Sequence, residues 1–428
     1  MMRRAIPSFV LLLAIFTYGC EKTGETPSRP VSPAVHELIE ICTEAQKQYV
    51  LFYAELEKHD GVEAVAYATA HNPDAAVIDR LIVFEERHRG TRAGLMATYQ
   101  LVTNAGRTFA TDSSLWRGRH AVLPTLDAYA GLDGVEQMLS YLKNGGYDPL
   151  CGTALRQLIA APATDVAERA RAELCLARWL QMPETRARGM ASWLEDLKFD
   201  PAQDPSGRRA VHVREALSSL PAADERAAMA HEGRALLKTL AEGVSEAVWP
   251  AGRDLDYRYV FDDPFATAQA PLVSELAEGE LFRELSLREG RPAPNLELEL
   301  LDGSAWTLQA QLGRVVIIQF SFRGCGPCEQ MYPVLESLQE THGKRLSILT
   351  VMADADRADT EAVHRSGKLP WALCWDRSRG LLATRWAVKS FPTVFVIGPD
   401  GTMGREGVHG DTLVAEVGRL MQNGRDTP

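Results

Sequence analysis

The sequence predicts a multidomain protein in which an N-terminal all-α domain precedes a C-terminal α/β domain. Residues 35–285 are rich in Ala, Leu, Glu and Arg and rarely alternate apolar with polar residues, which is typical of helices. Residues 286–428 combine apolar β-branched runs with helical spacings, which indicates strands joined by crossover helices. We also expect a hairpin around the Asp302-Gly303 turn and an antiparallel edge strand over residues 403–408. Where the two parts meet, residues 288–294 contain two prolines and a glycine, a composition typical of a boundary.

The first residues are typical of a bacterial export signal. Two arginines precede an apolar run over residues 9–16, which is too short to span a bilayer. The Gly19-Cys20 pair resembles a lipoprotein cleavage site, although the two residues before Gly19 depart from the usual pattern; an ordinary signal peptide is the alternative. We therefore expect a signal peptide over residues 1–20 and a linker over residues 21–34. We also expect a lipid on Cys20 that tethers the protein to a membrane, and a periplasmic location.

Charge and cysteine usage narrow the classes of partner. The net charge of −11 argues against binding to nucleic acid. After the export signal, no stretch approaches about 18 uninterrupted apolar residues, so we expect no further membrane span. Four of the seven cysteines are scattered along the chain. We expect buried thiols at Cys42, Cys151, Cys175 and Cys374, and a bridge among the first three is left open.

The helical domain contains amphipathic segments with recognisable starts. Residues 35–57 place apolar residues on one helical face, residues 72–74 open another helix, and Asp165 with a glutamate three residues later predicts an N-terminal cap. Residues 92–97 and 171–177 are faintly alike, which suggests degenerate helix-pair repeats and a solenoid-like arrangement. Such a domain would dock or position partner proteins; a structural spacer is the alternative.

The chemistry of the C-terminal domain centres on Cys325-Gly326-Pro327-Cys328. This motif lies between a predicted buried strand over residues 315–320 and a predicted helix over residues 329–338. Cys325 therefore falls at a helix N-terminus, where unpaired N–H groups and the helix dipole favour a thiolate, the nucleophile of disulfide exchange. Cys328 is placed to resolve a mixed disulfide formed at Cys325. The motif predicts a redox dithiol.

A zinc site is the alternative reading of two cysteines at this spacing. Zinc would need two more ligands, usually a second such pair or paired histidines. The nearby candidates are Cys374, His342 and His364, and they form no pair at metal-ligand spacing. We therefore predict no metal.

A proline-containing loop supports the redox interpretation. Pro333 lies five residues after Cys328, and the sequence Ser390-Phe391-Pro392-Thr393 precedes a predicted strand over residues 394–397. A proline at the start of a strand that faces the cysteine pair has no N–H and a fixed φ, which leaves neighbouring backbone free to pair with a substrate chain.

The order of these elements resembles a known family. The Gly290–Asn295 segment, the Asp302-Gly303 turn, the buried strand, the CGPC helix and the Phe-Pro-Thr loop follow one another as in extracytoplasmic thioredoxins. Residues 286–428 resemble the TlpA/ResA-like thiol–disulfide oxidoreductases of the redoxin superfamily, which implies an α/β thioredoxin fold. The helical region over residues 35–285 is similar to that of planctomycete-type exported proteins.

The resemblance implies a function and a set of site residues. Cys325 would attack a protein or peptide disulfide and Cys328 would resolve the intermediate, forming a Cys325–Cys328 disulfide. The redox-active disulfide would need no other cofactor, and a membrane electron donor would reduce it. The residues that shape the site and contact the substrate would be Gly326, Pro327, Phe391, Pro392 and Thr393.

Three positions depart from the family pattern. Gly324 replaces the tryptophan that usually precedes the first cysteine, which would widen the groove. Gln319 stands where cytoplasmic thioredoxins carry a buried aspartate, and Met331 stands where many ResA-like proteins carry a glutamate. We expect Gln319 and Met331 to pack in the core. Without either carboxylate, resolution of the mixed disulfide at neutral pH would be slow.

Two other functions are weighed against this one. A peroxiredoxin-like peroxidase would need threonine three residues before its nucleophile, and Phe322 occupies that place. A scaffold would use the helical module to bind partners, and the intact CGPC motif argues against it. Cys374, flanked by Leu373 and two tryptophans, could be a third redox thiol, but we expect it to be buried and inert.

Overall fold

The computed structural model describes residues 32–423 apart from residues 106–112, 140–141, 143–146, 200–203, 205–206, 244–245, 250–270 and 378–379. Cys20, the export signal and residues 21–31 of the linker lie outside the described residues. The chain divides into two compact units, and the change between them falls between Leu236 and Leu237. A search of the described helices finds none with the length and apolar character needed to cross a membrane.

The first unit is built from helices, as the sequence predicts, and the last helix given below, Ala223–Glu242, contains the change of unit. The helices that precede residue 243 in the described ranges are Pro33–Leu56 (α1), Gly61–His71 (α2), Asp74–His88 (α3), Arg92–Ala105 (α4), Ser114–Val122 (α5), Val135–Leu139 (α6), Pro149–Ala160 (α7), Val166–Phe199 (α8), Arg208–Ser218 (α9) and Ala223–Glu242 (α10). A 3₁₀ helix, Leu123–Tyr129, follows α5. The predicted cap is present, because Glu168 N–H donates to Asp165 Oδ1 at 2.7 Å. The solenoid-like repeat stays a prediction.

The scattered cysteines of this unit are mostly enclosed. Cys42 and Cys151 carry free thiols, and burial raises the pKa of each to about 12. Cys151 is fully buried and accepts a hydrogen bond from the buried Arg119, whose guanidinium also pairs with Asp148 at 3.1 Å. Cys175 is buried as well. Cys42 is only half-buried, so the expectation of a buried thiol is met only in part at this position.

The second unit contains helix Val273–Ser286 (α11), which the sequence analysis grouped with the helical domain. A hairpin follows, formed by Glu297–Glu299 (β1) and Ala305–Thr307 (β2) with Leu298 opposite Trp306. The turn between them closes because Ser304 N–H donates to Asp302 Oδ1 at 2.9 Å and Gly303 adopts a φ of +81°. The predicted hairpin is therefore confirmed.

A four-stranded sheet forms the centre of this unit. Its strands are Val315–Ser321 (β3), Leu346–Met352 (β4), Ala372–Trp375 (β5) and Thr393–Ile397 (β6), in the order β5-β4-β3-β6. β3, β4 and β5 run parallel, and β6 is antiparallel to β3. Helices Gly326–His342 (α12), Arg357–Arg365 (α13), Leu381–Arg385 (α14) and Gly410–Asn423 (α15) complete the thioredoxin fold.

Alternation along β3 separates two apolar layers. Val315 and Ile317 face α12 and α15, whereas Phe320 packs against Trp386 and Phe395 on the opposite face. Since β3 is buried at every position, it places whatever follows Ser321 at the edge of a rigid core.

The predicted additional edge strand over residues 403–408 does not form. Pairing there is limited to a single bridge between Met403 and Ile397. The Gly404 N–H still donates to the Val396 oxygen at 2.7 Å, but the next N–H, that of Arg405, donates to Glu416 Oε1 of α15 at 2.9 Å, and Gly407 then adopts a φ of +74°.

Candidate active site

Cys325 and Cys328 lie where β3 gives way to α12. The two residues are joined by a disulfide, with their Cα atoms 5.2 Å apart. Cys325 is the N-cap of α12, and the N–H of Cys328 donates to the Cys325 Sγ at 3.3 Å. Pro327 lies in the first turn, where its missing N–H costs the helix nothing. The helix N-terminus thus points its unpaired donors at the sulfur of Cys325.

The two cysteines differ slightly in burial. Cys325 is 3% exposed and Cys328 is 0% exposed in the disulfide form, so both are buried and Cys325 is the less enclosed residue. Cys328 shares the buried face of α12 with Met331 and Leu335. This difference favours Cys325 as the residue that meets a substrate.

The proline loop lies beside this pair. The Phe391–Pro392 peptide bond is cis, and Thr393 follows it as the first residue of β6, opposite Phe320. The rings of Phe322 and Phe391 meet edge to face with their centroids 5.5 Å apart. The structure therefore brings the loop before Cys325 and the loop before Pro392 together, although they are far apart in sequence.

Gly324 precedes the first cysteine in a conformation that few other residues adopt. Its φ is +80°, and a β-carbon there would meet nothing within 4 Å. A side chain would therefore fit here, but the left-handed backbone conformation is unfavourable for any residue with a β-carbon. The glycine therefore shapes the loop through its backbone rather than through a missing contact.

Gln319 on β3 and Met331 on α12 are both buried, as the sequence predicts. The Trp371 indole donates to the Thr350 hydroxyl at 2.9 Å, and that hydroxyl donates to Gln319 Oε1 at 3.2 Å. The Gln319 amide group in turn approaches the Met331 sulfur at 3.8 Å. The two positions where related proteins carry a carboxylate are thus occupied by neutral groups that contact one another.

Asp354 supports the loop before Cys325, although it is not among the predicted site residues. It is 2% exposed, and its two carboxylate oxygens accept from the Arg323 N–H and the Thr360 hydroxyl, each at 2.8 Å. Burial raises the pKa of Asp354, and these two hydrogen bonds partly oppose the rise. Its position at the carboxyl end of β4, next to the end of β3, was the available signal. Its burial was not readable from sequence.

Cys374 lies on β5 opposite Val351, and it packs with Phe320 and Trp386. This is the face of the sheet away from α12. Burial raises the pKa of Cys374 to about 12, so its thiol stays protonated at neutral pH. The expectation that Cys374 is buried is confirmed. Among the described residues, no group of three or more His, Cys, Asp and Glu side chains is arranged to hold a metal ion.

Comparison with known proteins places this domain among redox proteins. A sequence model of the AhpC/TSA family matches residues 290–405. The thioredoxin-like protein YneN of Bacillus subtilis (strain 168) is 27% identical over 134 residues, which cover 31% of this chain and 76% of YneN. The thiol-disulfide oxidoreductase ResA of Bacillus thuringiensis subsp. konkukian (strain 97-27) is 26% identical over 133 residues, again 31% of this chain and 76% of the relative.

Two further matches cover the same part of the chain. Tryparedoxin of Trypanosoma brucei brucei is 30% identical over 97 residues, which cover 22% of this chain and 67% of tryparedoxin. Among solved structures, the thioredoxin domain of a thiol-disulfide oxidoreductase from Bacteroides vulgatus aligns with 32% of this chain and 99% of its own, at 24% identity and a TM-score of 0.29.

Proposed function

We propose a specific reaction for this chain on the basis of its family, since it belongs through its C-terminal domain to the thioredoxin-like thiol–disulfide oxidoreductases. Within that enzyme class, we propose that it reduces protein disulfides outside the cytoplasm through Cys325 and Cys328. A membrane electron donor would return the pair to the dithiol state. The Cys325–Cys328 disulfide at the N-cap of α12, beside the cis-proline loop, is the observation that carries the proposal.

The reaction balances as two thiol–disulfide exchanges. In the reduced protein, the Cys325 thiolate attacks one sulfur of the substrate disulfide, whose S–S bond breaks and releases the other sulfur as a thiolate. Cys328 then loses its proton and attacks the Cys325 sulfur, so that the mixed disulfide breaks and the second substrate thiol leaves. Two electrons pass to the substrate, and the Cys325–Cys328 bond forms.

The proposed substrate contacts follow from the same geometry. Gly326 and Pro327 shape the first turn of α12, and Phe391, Pro392 and Thr393 lead into β6 beside it. Because Pro392 has no N–H and lies directly before β6, the backbone next to it is available to pair with an extended substrate. A substrate lying along this loop would bring its disulfide to the more accessible cysteine.

The direction of electron flow is inferred from the residues between the cysteines. Gly326-Pro327 resembles the dipeptide of reducing thioredoxins, whose reduction potential is about −270 mV. We expect a comparable potential for this protein, which would make it a reductant. A potential near that of a DsbA-type oxidant, about −120 mV, would reverse the proposed direction.

The decisive experiment is a redox titration of the full chain against a dithiothreitol series, with insulin reduction followed in parallel. We expect a low potential and turnover that is abolished in Cys325→Ser. Cys328→Ser should instead accumulate a mixed disulfide that a gel under non-reducing conditions resolves. Cys374→Ser is the matched control and should retain wild-type turnover.

The remaining outcomes separate the alternatives. Stoichiometric consumption of peroxide would favour a peroxidase, although Phe322 lies three residues before Cys325 with its ring against Phe391. If the double variant Cys325→Ser, Cys328→Ser kept the full cellular role, the protein would be a partner-binding scaffold that works through its helical module.

A further inference from the structure

Helix α11, Val273–Ser286, precedes the family match, which begins at residue 290. It is nevertheless part of the second unit. Val273 and Ala277 are fully buried, so one face of the helix is enclosed by protein. An added helix that packs this tightly against a domain constrains whatever it contacts.

Gly279 marks the closest approach of α11 to its neighbour, α14. A β-carbon on Gly279 would lie 2.2 Å from the backbone oxygen of Thr384 and 3.4 Å from that of Arg385. Both obstacles are backbone atoms, so neither can rotate away as a side chain would. The absence of a side chain at Gly279 is what allows α11 to rest on the end of α14.

Polar contacts continue from α11 to the segment that follows α14. Arg283 donates to the backbone oxygen of Ala387 at 2.7 Å, and its guanidinium lies 5.6 Å from the centre of the Phe395 ring. Ala387 has a φ of +46°, a left-handed backbone conformation that is unfavourable for a residue with a β-carbon. The hydrogen bond from Arg283 therefore helps to hold a bend that the chain would not keep by itself.

An ion pair holds the next residues of the same segment. Lys389 Nζ lies 2.7 Å from Glu280 Oε2, and Glu280 is only 6% exposed. A carboxylate buried to this degree is strongly destabilising without an opposite charge, so the pair holds Lys389 close to Glu280. Lys389 is the second residue before Phe391, so this contact fixes the chain at the start of the cis-proline loop.

We propose that α11 is a positioning element for the cis-proline loop and thereby sets how tightly a protein disulfide binds. The contacts act on residues 384–389, which lead directly into Phe391 and Pro392, and none of them involves Cys325 or Cys328. The proposal rests on the proposed function insofar as the loop is the substrate-binding edge. Its effect is confined to extended protein substrates, because a small disulfide needs only the sulfur of Cys325.

Gly279→Ala in the full-length chain tests this directly. Alanine is the better helix former, so in α11 alone the change would stabilise the helix, and any loosening must come from the contact with Thr384. We expect amide hydrogen exchange in residues 386–391 to rise about tenfold while that of β3 is unchanged. We also expect KM for insulin to rise about tenfold. The reduction potential should be unchanged, and the rate toward hydroxyethyl disulfide should stay within about twofold of the wild-type rate.

Glu278→Ala is the matched control, because Glu278 is exposed on the same helix and should change none of these quantities. Lys389→Met serves as the second variant if Gly279→Ala fails to fold, since it removes the ion pair without adding bulk. Unchanged exchange in residues 386–391, or equal losses toward insulin and hydroxyethyl disulfide, would overturn the inference. If the wild-type protein does not reduce insulin, the proposed function fails, and the exchange measurement still decides whether α11 holds the loop.

Discussion

Asp376 directly follows β5, and only 7% of its surface is exposed. Its two oxygens accept from the N–H groups of Leu382 and Ala383, each at 2.7 Å, so it caps the first turn of α14. Burial raises the pKa of Asp376 to about 7, against the opposing effect of these two hydrogen bonds. The pKa of Asp376 therefore lies near neutral pH.

Folding should consequently depend on pH through this residue. In the unfolded chain the Asp376 carboxyl ionises near 3.8, whereas in the folded protein it keeps its proton up to about pH 7. Rising pH between these values favours the unfolded state, and the stabilisation present below pH 4 is lost as pH passes 7. We expect wild-type stability to fall relative to Asp376→Asn by up to about 3 kcal/mol between pH 4.5 and 7.5.

Urea unfolding of the two proteins across this pH range measures the difference. Asp359→Asn is the control, because Asp359 is an exposed aspartate of the same domain and its curve should run parallel to that of the wild type. If the free energy of unfolding of Asp376→Asn also ran parallel to that of the wild type across this pH range, Asp376 would ionise alike in the folded and unfolded chain.

At the scale of elements, the loop between β3 and α12 is held by contacts with several neighbouring elements. Asp354, at the end of β4, accepts from the backbone of Arg323, and the Thr360 hydroxyl of α13 donates to the same carboxylate. The Trp375 indole donates to the Asp354 backbone oxygen at 2.8 Å, which joins β5 to the same point. Three elements therefore fix the approach to Cys325.

Asp354→Ala should loosen this loop. The change leaves the Arg323 N–H and the Thr360 hydroxyl without their acceptor, and two unsatisfied buried groups cost roughly 2–4 kcal/mol in the free energy of unfolding. Asp359→Ala is the matched control, since Asp359 pairs with the exposed guanidinium of Arg323 and should cost about 0–1 kcal/mol. Equal losses in the two variants, measured by urea unfolding, would mean that the Asp354 carboxylate does not hold the loop.

The order of elements in the second unit was readable from sequence because each leaves a local pattern. The β-branched run of β3, the helix that starts at Gly326 and the proline before β6 are visible in a few residues each. The predicted strand over residues 403–408 was wrong because the backbone there is held by Glu416 of α15, a contact that no pattern within the segment indicates. Local patterns indicate which elements form, but not where the chain turns out of a sheet.

What sequence could not supply are the contacts between elements. Gly279 inside a helix is a weak helix former when taken alone, and its role depends on the Thr384 oxygen about a hundred residues later. Asp354 is likewise one of several acids in its loop, and only the fold distinguishes it by burial. Contacts of this kind join distant parts of the chain, so no local spacing encodes them.

At the scale of the whole molecule, the proposed reductant has to stay near its electron donor. With a net charge of −11, the chain would be repelled by an anionic membrane surface, so electrostatic adsorption would not retain it. Retention would then depend on a lipid at Cys20, because each buried CH₂ contributes about 0.8 kcal/mol to membrane binding. The chain that follows Cys20 would act as the tether.

Fractionation of cells that express the full chain tests this arrangement. We expect the wild-type protein in the membrane fraction, resistant to a high-salt wash and released by detergent, and Cys20→Ala in the soluble exported fraction. Cys42→Ala, which also removes one thiol, should fractionate like the wild type. If Cys20→Ala stayed with the membrane, the tether would lie elsewhere. A wild-type protein found only in the cytoplasm would contradict export itself, and with it the need for a membrane electron donor.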